Sequence, residues 1–278
     1  MRDNPYLKNR SIFLPLSMRG SNQDSAISSE NTARALFEPR GKSSYSFKSI
    51  SFEMVRAPRL DNRLYPLNVE MCSTECTQEL FEAVMGFNPS SFKGKADSPK
   101  RPVQMVSWFD CIAFCNGLSQ ELGLAPYYSL TGIDYNKEYP QSIKVASVEV
   151  LGGNGFRLPT EAEWELFAKA GTNNEWSGTN IKAKLKGYAW YETNSNGETH
   201  PVATKKPNEW GMYDMAGNVY EWCWDRYNPK SISSVSRVFR GGAWYSDASL
   251  LCSAHRSRDY PGDRKIFLGF RVSRSPES

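Results

Sequence analysis

The chain has 278 residues, a formal net charge of +4 and 40% hydrophobic residues, with 14 Tyr, 14 Phe and 8 Trp set among 20 Gly and 16 Pro. This is enough apolar material for one large core or two small ones, and the Gly and Pro content favours a loop-rich fold over a helical bundle. With so mild a charge and no basic run along one face, nucleic acid is excluded as the expected partner. No stretch approaches the ~20 apolar residues that cross a bilayer.

Residues 1–46 are polar and rich in Ser, Asn and Arg, and read as a flexible N-terminal arm. Their apolar patch at 12–16 is broken by Pro15, too short for a signal core, so the chain is either cytoplasmic or lacks its export signal here. From residue 47 a domain is expected to run to 278. Residues 47–55 alternate as a half-buried strand, and 67–71 read as another. Thr77 caps a short helix reaching about Met85. Ser107 opens a stronger helix with Asp110 as its capping-box partner, and Trp108, Cys111, Ile112, Cys115, Leu118 and Leu122 form its buried stripe. Residues 126–130 and 143–145 suggest a β-excursion. Thr160 and Glu163 form a capping box for the second main helix, with Gly171 just past its end.

Six cysteines are too few for a disulfide scaffold in a chain of this length. Buried reduced thiols are the favoured reading, although the Cys72/Cys76 and Cys111/Cys115 spacings could serve a four-thiolate zinc site. No phosphate loop, dinucleotide fingerprint or nucleophile elbow is present. The two histidines, His200 and His255, are too few for a histidine metal centre.

Four motifs follow one another in order: residues 154–165 (NGFRLPTEAEWE), 211–222 (GMYDMAGNVYEW), 240–244 (RGGAW) and 268–271 (LGFR). Together with 86–93 and 102–108 they resemble the formylglycine-generating-enzyme, or sulfatase-modifying-factor, family over roughly 47–273. The resemblance implies an α+β, C-type lectin-like fold with short strands, many loops and two main helices. It does not imply activity. Members that oxidise a sulfatase cysteine use a thiol pair after Arg-Gly-Gly. The matching positions hold Ser246 and Leu251, with Cys252 one place off, so no enzyme is expected and no cofactor is required. The resemblance also makes calcium conceivable at Asn218 and Glu221. The favoured alternative is that these two side chains cap turns and pair with an arginine.

The segment from Ala243 to Phe267 lies between two buried strands, 237–244 and 268–272, and mixes residue types without periodicity. It resembles the variable region of proteins diversified by retroelements. Apart from Trp244 and Lys265, residues 243–267 are all encodable by codons ending in a pyrimidine. That resemblance implies a non-enzymatic display protein, suspected at the cell surface, that binds a protein or surface ligand. The expected contact set is Ala243, Tyr245, Ser246, Asp247, Ser249, Leu250, His255, Ser257, Arg258, Asp259, Tyr260, Asp263, Ile266 and Phe267. Tyr245, Arg258, Tyr260 and Phe267 are the expected anchors. Leu250, Leu251 and Ile266 could instead face the core, and Trp244 and Arg256 are assigned to the frame. The rival readings are an inactive relative with an ordinary loop, a residual enzyme acting through Cys252, and a calcium-dependent sugar binder.

Overall fold

The computed structural model describes residues 39, 41–58, 68–231 and 235–276. The first strands among the described residues are β1 (Lys42–Phe47), β2 (Ile50–Arg56) and β3 (Glu70–Cys72). The expected boundary at 47 is therefore too late, because Lys42–Phe47 pairs residue by residue with β2. The expectation for the arm otherwise falls on residues 1–38, outside the described residues. The single strand expected over 47–55 is in fact the end of one hairpin arm and most of the other. Lys48 and Ser49 turn the chain with φ of 46° and 67°, the doubly positive geometry that matches the twist of a two-residue hairpin. Neither residue is Gly or Asn, so the turn carried no local signal.

Helix α1 (Gln78–Met85) is capped by Thr77, whose hydroxyl accepts from Leu80 N, and ends where Gly86 turns left-handed with φ +78°. Helix α2 (Trp108–Glu121) opens with the expected reciprocal box between Ser107 and Asp110. It buries Trp108, Cys111, Ile112, Phe114, Cys115 and Leu118 completely. A hairpin follows, β4 (Tyr128–Tyr135) with β5 (Ile143–Val150), then β6 (Phe156–Arg157) and helix α3 (Glu161–Lys169), capped by the Thr160–Glu163 box. Ala170, one place before the expected Gly171, is the left-handed cap of α3. The remaining strands are β7 (Tyr220–Arg226), β8 (Arg237–Arg240), β9 (Arg256–Asp259), β10 (Leu268–Gly269) and β11 (Ser273–Arg274).

Among the described residues these strands form three sheets, with orders β1-β2-β3-β11-β6, β10-β7-β8-β9 and β4-β5. The last strand, β11, joins the first sheet between β3 and β6. The second sheet carries the segment after Arg-Gly-Gly. The main core lies between α1, α2 and the strands, with stacked Phe81 and Phe114 and edge-on Phe270 at its centre. All six cysteines are free thiols, five of them buried. The cysteines of both C-x3-C pairs are buried members of the main core, and among the described residues no group of three or more potential ligands is placed to hold a metal.

Candidate functional site

The frame begins with a buried ion pair. Arg271 places Nε and Nη2 2.6 Å from the two carboxylate oxygens of Glu221, and both residues are fully buried. The remaining guanidinium hydrogens reach the carbonyls of Cys72 and Tyr213, while Trp164 Nε1 donates to Glu221 at 2.7 Å. Asn218 donates to Glu75 and accepts from His200 N. A guanidinium thus holds both carboxylate oxygens of Glu221, and the Asn218 amide oxygen accepts from His200 N, so calcium at these oxygens would have to compete with both contacts. Glu221 is paired with an arginine, as the alternative has it, whereas Asn218 instead bonds Glu75 and the backbone of His200.

Chain direction at the exit from β8 is set by Gly241 and Gly242, with φ of +100° and +77°. A Cβ on Gly242 would lie 3.0 Å from Leu251 Cγ, so neither the angle nor the space admits a side chain. Beyond the glycines the main chain is tied down repeatedly by groups from outside the segment. Trp244 N donates to Asn218 O, Trp176 Nε1 to Ala248 O, and Ser253 N to Glu175 O. Arg240, itself buried, clamps Ser253 O at 2.7 Å and holds Glu161 and Glu165 of α3. Further along, Pro261 O accepts from Trp108 N, Lys265 O from Met105 N, and Phe267 O from Tyr220 N. Between these ties a short 3-10 turn (Ala248–Leu251) and strand β9 give the segment regular structure that its side chains did not announce. β9 is held by backbone pairing to β8, and its sequence, Arg-Ser-Arg-Asp, has no apolar alternation to betray it.

The side chains divide cleanly. Tyr245, Asp247, Ser249, Arg258, Tyr260 and Ile266 are exposed, with Tyr260 at 62%. Leu250, His255, Ser257, Asp259, Asp263 and Phe267 are half-buried, while Leu251 is fully buried. Two members of the expected set are corrected. Ala243 is fully buried and Ser246 is 1% exposed. Ser246 Oγ accepts from Ala243 N at 3.0 Å, closing the turn that follows the glycines. Arg256, assigned to the frame, is exposed, but it pairs with Glu161 through two bonds and lies over Tyr227. Lys265 approaches Asp259 and Asp263 at 3.4 and 3.5 Å, which gives that non-conforming residue a bridging role across the face.

Burial shifts two titratable groups on this face towards their neutral forms. Burial, with help from Tyr220, pushes the Tyr245 hydroxyl up to about 12. Burial lowers His255 from the usual histidine range, and Arg240 acts in the same direction. At the family's thiol positions Ser246 and Leu251 are buried in the frame. Cys252 donates to Glu175 at 3.3 Å, and burial followed by that carboxylate raises its thiol to about 11. It is therefore a protonated thiol at neutral pH, a poor nucleophile.

Residues 36–276 match the family model described as a sulfatase-modifying factor enzyme 1-like domain. The chain belongs to this family. Among solved structures it is similar to Treponema denticola variable protein 1, at 38% identity and a TM-score of 0.74, over 84% of this chain and 99% of that one. The chaperone protein LppX of Paenibacillus barcinonensis is 38% identical over 63% of this chain and 69% of its own length. The formylglycine-generating enzyme of Mus musculus is 35% identical over 43% of this chain, which spans 39% of the mouse enzyme's length. This sulfatase-modifying-factor-type domain thus has the C-type lectin-like, α+β fold implied by its four motifs. No helix among the described residues is long and apolar enough to cross a membrane.

Proposed function

We propose that this domain is a non-enzymatic ligand-display protein whose exposed side chains in 243–267 are exchangeable, diversified by a retroelement. The observation that carries the reading is the separation within one segment: main chain fixed from outside at Trp244, Ala248, Ser253, Pro261, Lys265 and Phe267, with exposed side chains in between. Exposed positions that support no core packing change stability by only about 0.5 kcal/mol. The similarity to a protein named for its variability supports the same reading. Tyr245, Arg258, Tyr260 and Phe267 supply the anchors. Asp247, Ser249, His255, Ser257, Asp259 and Asp263 supply adaptable hydrogen bonds, and Leu250 and Ile266 supply apolar surface. The partner is a protein or surface ligand, and display at the cell surface suits it.

The test is a displayed library. Tyr245, Asp247, Ser249, Arg258, Tyr260 and Ile266 are randomised with pyrimidine-ending codons and selected against lysozyme as an arbitrary protein target. Most members are expected to fold, and selection is expected to yield binders that lose affinity when their segment is restored. Failure of most members to fold sinks the proposal, as does a library that yields no binder. The neighbouring DNA offers a second check, since diversification requires a reverse-transcriptase gene and a near-copy of the coding segment.

A further inference from the structure

Where β7 hands over to β8, positive charge gathers without acids. Arg226 closes β7 and stands directly opposite Arg237, which opens β8. Like charges in that relation are destabilising. The connection between them, residues 227–236, adds Lys230 and contains no Asp or Glu. Arg226 is exposed and has no ion pair or hydrogen bond among the described residues.

Arg237 is more constrained. It is half-buried, with its guanidinium carbon 3.9 Å from the centre of the Trp108 ring and 5.1 Å from that of Trp224. Nη1 donates to Trp224 O at 2.6 Å. Nε is buried without a partner, while Nη2 reaches solvent and meets no acceptor among the described residues. The acids beside it are committed elsewhere. Asp259, opposite Arg237 on β9, accepts from Tyr260 N and faces Lys265 at 3.4 Å. Asp225 Oδ2 accepts from Glu161 N at 2.6 Å, at the start of α3. Burial, then Arg226, lowers the Arg237 guanidinium to about 10, only partly offset by Asp225 and Tyr128. Taking a guanidinium partly out of water is costly unless a counter-charge goes with it. Stacking on the indoles recovers some of that cost, but it supplies no acceptor for the free edge.

We propose that Arg237 and Arg226 form a carboxylate-binding site, taking an Asp or Glu side chain from a protein partner, with Trp108 and Trp224 holding the Arg237 guanidinium ready. The site lies on β7 and β8, outside 243–267, and stands whether or not that segment is exchanged. A planar carboxylate matches the edge of a guanidinium. Being singly charged, it also costs less to bring out of water beside two indoles than a doubly charged phosphate would. Its arrival supplies the missing counter-charge and relieves the repulsion between the two arginines.

The probes are N-acetyl-L-glutamate α-amide and its uncharged counterpart, N-acetyl-L-glutamine α-amide. Each is titrated at millimolar concentration into the isotopically labelled full chain, with ionic strength held constant by sodium chloride and inorganic phosphate as a third arm. The glutamate probe is expected to shift the Arg237 Nε–H signal saturably, and the glutamine probe to leave it in place. Arg226→Gln, at an exposed position without partners, is expected to weaken the glutamate probe at least threefold. Four results overturn the proposal: no Arg237 shift with glutamate, an equal shift with glutamine, tighter binding of phosphate than of glutamate, or binding that Arg226→Gln leaves unchanged. The first three are read in the unsubstituted chain and decide the matter even if Arg226→Gln unfolds. The display library keeps both arginines, so its failure would sink the display reading and leave this inference standing.

Discussion

Neighbouring residues in the segment 243–267 carry opposite consequences for substitution. Ser246→Ala removes the acceptor of a buried amide at Ala243, so a loss of about 1–3 kcal/mol in stability is expected from urea unfolding. Tyr260→Ser and Arg258→Ser, two exposed positions further along, should each stay within about 0.5 kcal/mol in the same measurement. Glu221→Ala would leave the Arg271 guanidinium buried without its counter-charge, an effect of about 3–5 kcal/mol, enough to threaten the fold of a marginally stable domain. Cys252 should resist iodoacetamide at pH 7.5 and become reactive only as pH approaches 11; rapid alkylation at neutral pH would contradict the raised thiol.

Elements with side-chain signatures were legible in the sequence, and elements made by backbone alone were not. The three capped helices follow from Thr77, Ser107 with Asp110, and Thr160 with Glu163, since each cap satisfies orphan N–H groups through a local residue pattern. The β1–β2 turn escaped because Lys48 and Ser49 occupy angles that usually call for Asn-Gly. Substituting Lys48→Asn together with Ser49→Gly should therefore raise stability by roughly 1 kcal/mol, read as a higher Tm. Strand β9 escaped because pairing with β8 holds it and its sequence has no apolar positions to alternate with polar ones. The same limit applied inside the site. That Ala243 and Ser246 point inward depends on the left-handed Gly241–Gly242 exit, which composition does not reveal. Arg237 lies over Trp108 across a separation in the chain that no periodicity spans. What the residues did carry was the frame and the mixed character of its contents.

Across the whole molecule, the frame holds more buried acid than buried base near the joint between the sheets. Burial raises Asp214 to about 6, only partly offset by the Ala203 amide and by Arg271; burial, then Asp214 and Glu221, also raises Glu75 well above the carboxylate range. These groups hold their protons more tightly when folded. They contribute stability that is fully present below their unfolded values near pH 4 and is lost as pH climbs through the folded ones. Asp214→Asn is accordingly expected to flatten the fall in urea midpoint between pH 4 and 6; an unchanged slope would assign that fall elsewhere. The Arg240 clamp on Ser253 has a different reach. Because it grips the middle of the segment while β8 and β10 grip its ends, the number of residues on either side of Ser253 is set by the frame. On the display reading, new surfaces arise by exchanging side chains at these positions, because an insertion on either side of Ser253 has to bulge away from the ties.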